Sequence, residues 1–338
     1  MSILLAVLLN ASEPLLYNNR LRPIENASPL LADHPNWVEP IRETNRFEAA
    51  AIINDANADL HVRAWRWSYN ARGIIEMPNH LRARHTAVIM VHPWGIDDGQ
   101  GWETPEPAGV CSFCAPEKNH LAAKHTREVI APFHASLRGK FAAVLHSLPG
   151  NADPIRAKAY RTLDHTPTEA ERLTANAQLR AALQTFDYSG ESLPKTLRLD
   201  QSTPVASYFQ QFPGLDASAR FNNAGFWQLP IPLTVNVQPA VDDIVIFDGE
   251  GYTKLRDWLK AQQIRHILLT GYATDLCFAN TCAGYVNLSR DFNVFLVGDA
   301  TLATFPAHTT PSVATSAHIA SASLNQLITQ VSWITCER

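Results

Sequence analysis

The sequence predicts a three-layer α/β/α domain on a mostly parallel six-stranded sheet, spanning about residues 85–338, with an N-terminal arm and β-hairpin over 1–84. Three observations predict it. Short runs that are apolar throughout, such as Thr86–Val91 (TAVIMV) and Ile267–Leu269, read as strands buried on both faces. Segments with helical spacing of apolar residues lie between them, and that alternation implies right-handed crossovers and helices on both sides of the sheet. Residues 1–84 lack the alternation and read as an extension, not as a separate enzyme domain.

Composition sets the outer bounds. A chain of 338 residues exceeds one average domain but fits one α/β domain with additions. Its 46% hydrophobic and 18% charged residues describe a globular protein with ample core. A net charge of −4, from 28 basic and 32 acidic residues with no Lys/Arg-rich stripe, argues against a nucleic-acid partner. Five cysteines (Cys111, Cys114, Cys277, Cys282, Cys336) are too few and too scattered for a disulfide framework, and fit a reducing, cytoplasmic setting. The opening apolar run, Ile3 to Leu9, has no basic residues before it and is too short to span a bilayer. It reads as an ordered strand or helical turn, a degenerate signal peptide being the alternative. No later stretch reaches membrane-spanning length, so no membrane partner is expected.

Taken in order, Asn18 to Glu43 is rich in Pro, Asn and charge, and reads as an extended surface arm. His61 to Tyr69 alternates, placing Trp65, Trp67 and Tyr69 on one face; Asn70-Ala71-Arg72-Gly73 is a turn and Ile74–Met77 a return strand. Such a row of aromatic rings needs cover, from the main domain or from another subunit, with a substrate-lining wall as the alternative. The Thr86–Val91 strand runs into His92-Pro93-Trp94-Gly95-Ile96-Asp97-Asp98-Gly99-Gln100-Gly101-Trp102. That loop leaves the C-terminal end of a parallel strand, where open α/β sheets bind ligands. His92, Asp97 and Asp98 are therefore candidate acid–base groups, with Trp94 and Trp102 as apolar walls; Asx-type turns are the plainer account of the aspartates.

Cys111-Ser112-Phe113-Cys114 is a lone CxxC without a second ligand pair for zinc, and reads as structural. Glu117 to Arg138 has Leu121, His125, Val129, Phe133 and Leu137 at four-residue spacing, a helix with a kink at Pro132; Lys118 near its start can reach back toward the His92 loop. Phe141 to His146 is the next strand, and His146 at its end is a supporting or a core histidine. Thr166-Pro167-Thr168-Glu169 is a capping box opening a helix to about Leu183. An insertion of about 150–240 follows the Phe141–His146 strand, and its part from 187 on, with Tyr208, Phe209, Phe212, Phe221, Phe226 and Trp227, reads as a lid or a subunit contact. Ile244–Phe247 is a strand, then Tyr252, Leu255, Trp258 and Leu259 mark a helix. Asn293–Val297 is a fifth strand, Pro311–Ile328 a small-residue helix, and Val331–Thr335 a sixth strand at the sheet edge.

The chain is organised around His266–Ala279, HILLTGYATDLCFA. A buried strand ends at Gly271, Thr274 or Asp275 caps the apolar helix that runs to about Leu288, and Cys277 falls in its first turn. Free N–H groups and the helix dipole favour an anion there, so the thiol is expected to have a lowered pKa and to act as a nucleophile. The same N–H groups can hold an oxyanion. The alternative is a small apolar residue in a helix–sheet interface.

Gly271-Tyr272-Ala273-Thr274-Asp275-Leu276-Cys277, followed by the Asn293–Val297 strand and Gly298-Asp299-Ala300, resembles the isochorismatase-like cysteine hydrolases, which include nicotinamidases, N-carbamoylsarcosine amidases and other C–N hydrolases. The similarity is clearest over the last hundred residues, weaker from Thr86 to Leu148, and absent before Arg84. The resemblance implies a nucleophilic Cys277, a cis peptide at Tyr272–Ala273, and oxyanion donors at the N–H groups of Ala273 and Cys277. It also implies an aspartate after the Thr86–Val91 strand and a lysine after Ile244–Phe247. Here His92 stands at the first place and Asp248-Gly249-Glu250-Gly251 at the second. Glu250 is thus a carboxylate where a cation is implied, and Lys254, the nearest lysine, reads as solvent-facing on the next helix; protonated His92 beside Cys277 restores thiolate character.

The expected activity is hydrolysis of a small amide-like C–N bond, other than a peptide bond, through a Cys277 thioester. His92 or Asp97/Asp98 shuttles the proton, Trp94, Trp102 and Tyr272 contact substrate, and His146, Glu250 and Lys118 support the site. A small-molecule substrate is the expected partner, no cofactor or metal is called for, and the aromatic row and the family's habits imply a homo-oligomer. Two alternatives remain: a catalytically lapsed relative that binds or assembles, and a metal-assisted hydrolase using His92, Asp97 or Asp98, His146 and Glu250.

Overall fold

The computed structural model describes residues 16–92, 116–185, 198, 200–204, 233, 237, 239–303, 310–311 and 329–336. The CxxC, the His92 loop beyond its first residue, most of 187–240 and most of the small-residue helix after Pro311 lie outside them.

Among the described residues there are ten strands: β1 (Arg22–Pro23), β2 (Arg46–Glu48), β3 (Leu60–Ser68), β4 (Gly73–Leu81), β5 (Thr86–Val91), β6 (Ala143–Leu148), β7 (Ile244–Phe247), β8 (His266–Tyr272), β9 (Asn293–Leu302) and β10 (Thr329–Cys336). They lie in the order β1-β2-β4-β3-β10-β9-β8-β5-β6-β7. The five from β9 to β7 are all parallel, and β1 to β4 form a mixed unit. β10 joins the two units, parallel to β9 and antiparallel to β3. It is therefore an interior strand, where the sequence reading placed it at the edge. The hairpin likewise continues the sheet sideways and does not pack on the domain's face. Both corrections have one cause: β3 and β9 would each expose a ladder of unpaired N–H and C=O groups, and β10 satisfies both.

The N-terminal arm is also more deeply seated than a surface strap. Leu30, Leu31 and Val38 are buried against Trp65 and Ile74. Beneath them Arg46 and Arg63 both pair with the buried Glu76. Of the expected aromatic row only Trp65 is covered; Trp67 is 43% and Tyr69 89% exposed, because the arm's apolar residues stop at Trp65.

Along each parallel strand side chains alternate between two cores. On one face Ile89, Val91, Ile246 and Leu269 pack under Leu255 and Leu259 of the helix Tyr252–Ala261. On the other, Met90, Leu268 and Tyr272 pack under Ala122 and Ile130. That second cover is a helix Pro116–His125, a π-turn Thr126–Ile130 and a helix Ala131–Leu137. The kink expected at Pro132 takes this form: proline gives no N–H to the turn before it, and the Ala131 N–H bonds instead to the Thr126 carbonyl.

Two other helix boundaries move. The reciprocal cap before the helix Glu169–Gln184 joins Thr168 and Glu171, not Thr166 and Glu169. The helix after Cys277 is two short pieces, Cys277–Asn280 and Tyr285–Leu288. Thr281 causes the break by bonding its hydroxyl back to the Cys277 carbonyl at 2.9 Å. Gly284 then lets the chain pass close to the Ala279 carbonyl, where a Cβ would lie only 2.8 Å away. Among the described residues, no helix is long and apolar enough to cross a membrane.

Candidate active site

The tops of β5 and β8 meet at Gly271. Its φ of +100° is left-handed, and a Cβ there would lie 2.0 Å from the Val91 carbonyl oxygen, so only glycine fits. The close approach sets His92, the residue after Val91, against the turn that follows β8. A cis peptide joins Tyr272 and Ala273 in that turn, where the resemblance implies one. Cys277 then opens the helix Cys277–Asn280, half-buried, beside a Leu276 that is 51% exposed. Leu276 is the N-cap and no side chain caps the helix, so neither Thr274 nor Asp275 has the expected role.

The backbone of the turn leaves donors over. Thr274 donates to Leu302, and Leu276 and Phe278 both donate to the Ala273 carbonyl, at 3.0–3.1 Å. Among the described residues, the N–H groups of Ala273 and Cys277 donate to no backbone carbonyl. A helix of four residues carries little dipole, however, so charge beside the sulfur has to come from a side chain.

His92 supplies it. The residue has φ +43°, uncommon for a side chain other than glycine, and its N–H is held by the Ser147 carbonyl at 2.9 Å. Its Nε2 lies 2.9 Å from Oδ2 of Asp248, the residue directly after β7, and the Cys277 thiol is near enough to act on the ring's charge. Burial works against the charged ring, whose side chain is only 11% exposed. The hydrogen bond to Asp248 and the pull of Cys277 and Asp248 on the ring's positive charge outweigh burial, and lift the imidazole to about 9. Cation, carboxylate and sulfur thus come from the ends of three parallel strands, at the edge where such sheets place their sites.

The other expected residues sort differently. Asp97, Asp98, Trp94 and Trp102 lie outside the described residues, as does the side chain of Lys118. Tyr272 is fully buried, so its ring does not line a solvent-facing pocket; the alternation along β8 turns it to the face opposite the Val91–Leu269 core. His146 is also fully buried and bonds Asp243 at 3.1 Å, away from Cys277. Glu250 accepts the Phe247 N–H at 2.9 Å and pairs with Lys254 at 2.6 Å, so that lysine is tied down instead of facing solvent alone. Cys282 is no rival nucleophile: burial, then the charges of Asp248 and Glu250, push its thiol up to about 11. Among the described residues, no three His, Cys, Asp or Glu side chains converge as metal ligands. Asp248 is the residue that sequence reasoning missed. The signal was present, since a carboxylate ends a parallel strand there, but the position was read only for the lysine it lacks.

An isochorismatase domain model matches residues 208–326. No curated protein matches. Among solved structures, a cysteine hydrolase from Pseudomonas syringae pv. phaseolicola 1448A is 13% identical over 73% of this chain and 83% of its own, with a TM-score of 0.29. An isochorismatase family protein from Burkholderia thailandensis is 12% identical over 66% and 83%, with a TM-score of 0.27. A nicotinamidase from Bacillus subtilis is 11% identical over 72% and 98%, with a TM-score of 0.31. The matched segment contains β7, β8 and β9 with Asp248, the Gly271 turn and Cys277, so this part of the chain is similar to the isochorismatase family.

Proposed function

We propose that the protein hydrolyses a small amide-like C–N bond, other than a peptide bond, through a Cys277 thioester, with His92 and Asp248 completing the site. One observation carries the reading: the imidazole after β5 is held on a carboxylate after β7, and the Cys277 thiol lies near enough to help raise its pKa. The resemblance implies a carboxylate after β5 and a cation after β7. This chain has the reverse, His92 after β5 and Asp248 after β7, so the site keeps one of each sign around the sulfur.

The steps follow from that placement. Asp248 accepts the Nε2 hydrogen of His92 and so orients the ring. The Cys277 thiolate, paired with the imidazolium, adds to the substrate carbonyl carbon. The oxyanion is held by the N–H groups of Ala273 and Cys277. As the C–N bond breaks, the imidazolium protonates the leaving amine, giving a thioester and a neutral ring. That ring next removes a proton from water, the hydroxide displaces the sulfur, and the imidazolium returns. With Asp248 against His92, the scheme requires neither Asp97 nor Asp98. Leu276 gives the mouth an apolar border. The exposed Trp67 and Tyr69 at the hairpin tip support self-association.

The test is a panel of amides, ureas and carbamoyl compounds, read for amine release and, by mass, for an acyl adduct on Cys277. Turnover that disappears in Cys277→Ser supports the proposal. The lysine place taken by Asp248 favours a second reading, a lapsed enzyme that only binds. Wild-type protein inert across the panel, yet retaining one of its compounds, would establish that instead.

A further inference from the structure

Behind the nucleophile turn, on the far face of the sheet, lies a buried polar network that the proposed chemistry does not use. Ala122, His125 and Thr126 share one helix face by their three- and four-residue spacing. All three meet the Tyr272 hydroxyl: the Ala122 carbonyl at 3.0 Å, Nδ1 of His125 at 2.7 Å and Oγ1 of Thr126 at 3.0 Å. The His125 Nε2–H donates to the Asp299 carbonyl on β9 at 2.8 Å. Burial pushes the Tyr272 phenol far up against the opposing Thr126 hydrogen bond, so the group stays a donor. The network is closed from outside by the N-terminal arm: Trp37 sets its ring edge-on to His125 at 5.4 Å, and Lys124 lies over the indole at 5.5 Å.

We infer that Tyr272 is a positioning residue for the oxyanion donor at Ala273, and that the arm, through Trp37 and His125, holds it in place. The inference rests on the hydrolase reading. Its logic is covalent: the Ala273 N–H belongs to the same peptide as the Tyr272 carbonyl. Any drift of Tyr272 therefore re-aims that donor, and misplacement by an ångström can cost about 100-fold in rate. Trp37 and His125 both lie outside the matched segment 208–326.

Two reactions of the same sulfur separate positioning from mere support. With p-nitrophenyl acetate the thiolate forms an S–C bond, an oxyanion develops, and p-nitrophenolate leaves with the electron pair of the broken C–O bond. With iodoacetamide the thiolate displaces iodide and no oxyanion forms. In the full chain, Tyr272→Phe should slow the p-nitrophenolate burst by about 10- to 100-fold, while the alkylation rate and its pH profile stay within about twofold. Trp37→Leu should move the burst in the same direction, by less. Both reactions slowing together in Tyr272→Phe, or neither changing, overturns the inference; an unchanged burst in Trp37→Leu overturns the arm's part in it. Wild-type protein that is alkylated at Cys277 but never acylated overturns the hydrolase reading itself, a result distinct from the others.

Discussion

Two of the histidine–aspartate pairs in this sheet have almost the same separation, His92 with Asp248 at 2.9 Å and His146 with Asp243 at 3.1 Å. Only one adjoins a thiol. Asp243 also takes two N–H groups of Arg138 and the N–H of Ala240. Burial opposes its charge, but the His146 and Arg138 contacts prevail and hold its carboxyl near 2. Among the described residues, Asp248 has His92 as its hydrogen-bond partner, and its Oδ1 has none. The third neighbour therefore decides what such a pair does. An arginine consumes the carboxylate and makes a structural cluster; a thiol leaves the carboxylate to the imidazole.

The sharpest way to break the comparison is to make one substitution in each pair. His92→Gln keeps a polar side chain but removes the transferable proton, and should lower thioester formation by about 1,000-fold. His146→Gln should leave Cys277 acylation within about twofold. Equal losses would mean that the two pairs are not distinct. Asp248→Asn is the next largest effect, about 100-fold in acylation, because the ring loses its orienting acceptor. The same change should lower the His92 pKa from about 9. Because the raised value keeps the ring charged up to that pH, the alkaline limb of the acylation profile should move down in Asp248→Asn. A limb that stays in place would show that Asp248 does not set it.

How much of this was legible follows the range of each signal. The β8 strand and the place of Cys277 in the first turn of a helix are local patterns, and they read correctly, although β8 runs one residue past Gly271 to Tyr272. His92 also follows directly on a strand, where the sequence places it, and that position is itself local. Asp248 lies 156 residues from its partner, and nothing near it announces an imidazole. The same holds for β10, whose pairing with β3 crosses most of the chain. The break after Cys277 was missed because Thr281 and Gly284 are each tolerable in a helix and end it only in concert with the turn before them. Tyr272 read as a ligand contact because the sequence shows that it precedes Ala273, but not which face of the sheet it takes.

The structural pair should show itself in stability. Asp243→Asn strips Arg138 and His146 of their shared anion in a buried setting and should cost about 3 kcal/mol in a denaturant melt, with Cys277 alkylation unchanged. A cost near zero would move this cluster out of the structural column.

The smallest effect expected is a slope against pH. His134 sits beside that cluster, 6.1 Å from the His146 ring. Burial first, then the neighbouring His146 and Arg138, hold its imidazole well below the ordinary 6.5. Unfolded, the ring binds a proton at 6.5; folded, it refuses one until the pH is much lower. Stability is therefore full above about pH 6.5 and is lost as pH falls below it, at up to about 1.4 kcal/mol per pH unit for one proton. His92 has the opposite sign: its contribution is present below 6.5 and is lost as pH rises through about 9. His266 and His85, also lowered by burial, add a loss of the same sign, so denaturant melts from pH 7 to pH 5 should decline in wild-type protein and decline less steeply in His134→Leu. His92→Gln should leave that acid slope intact and remove the loss seen between pH 7 and pH 9. If both variants flattened the same limb, the two faces of the sheet would share one titration, and the contrast between the pairs would fail.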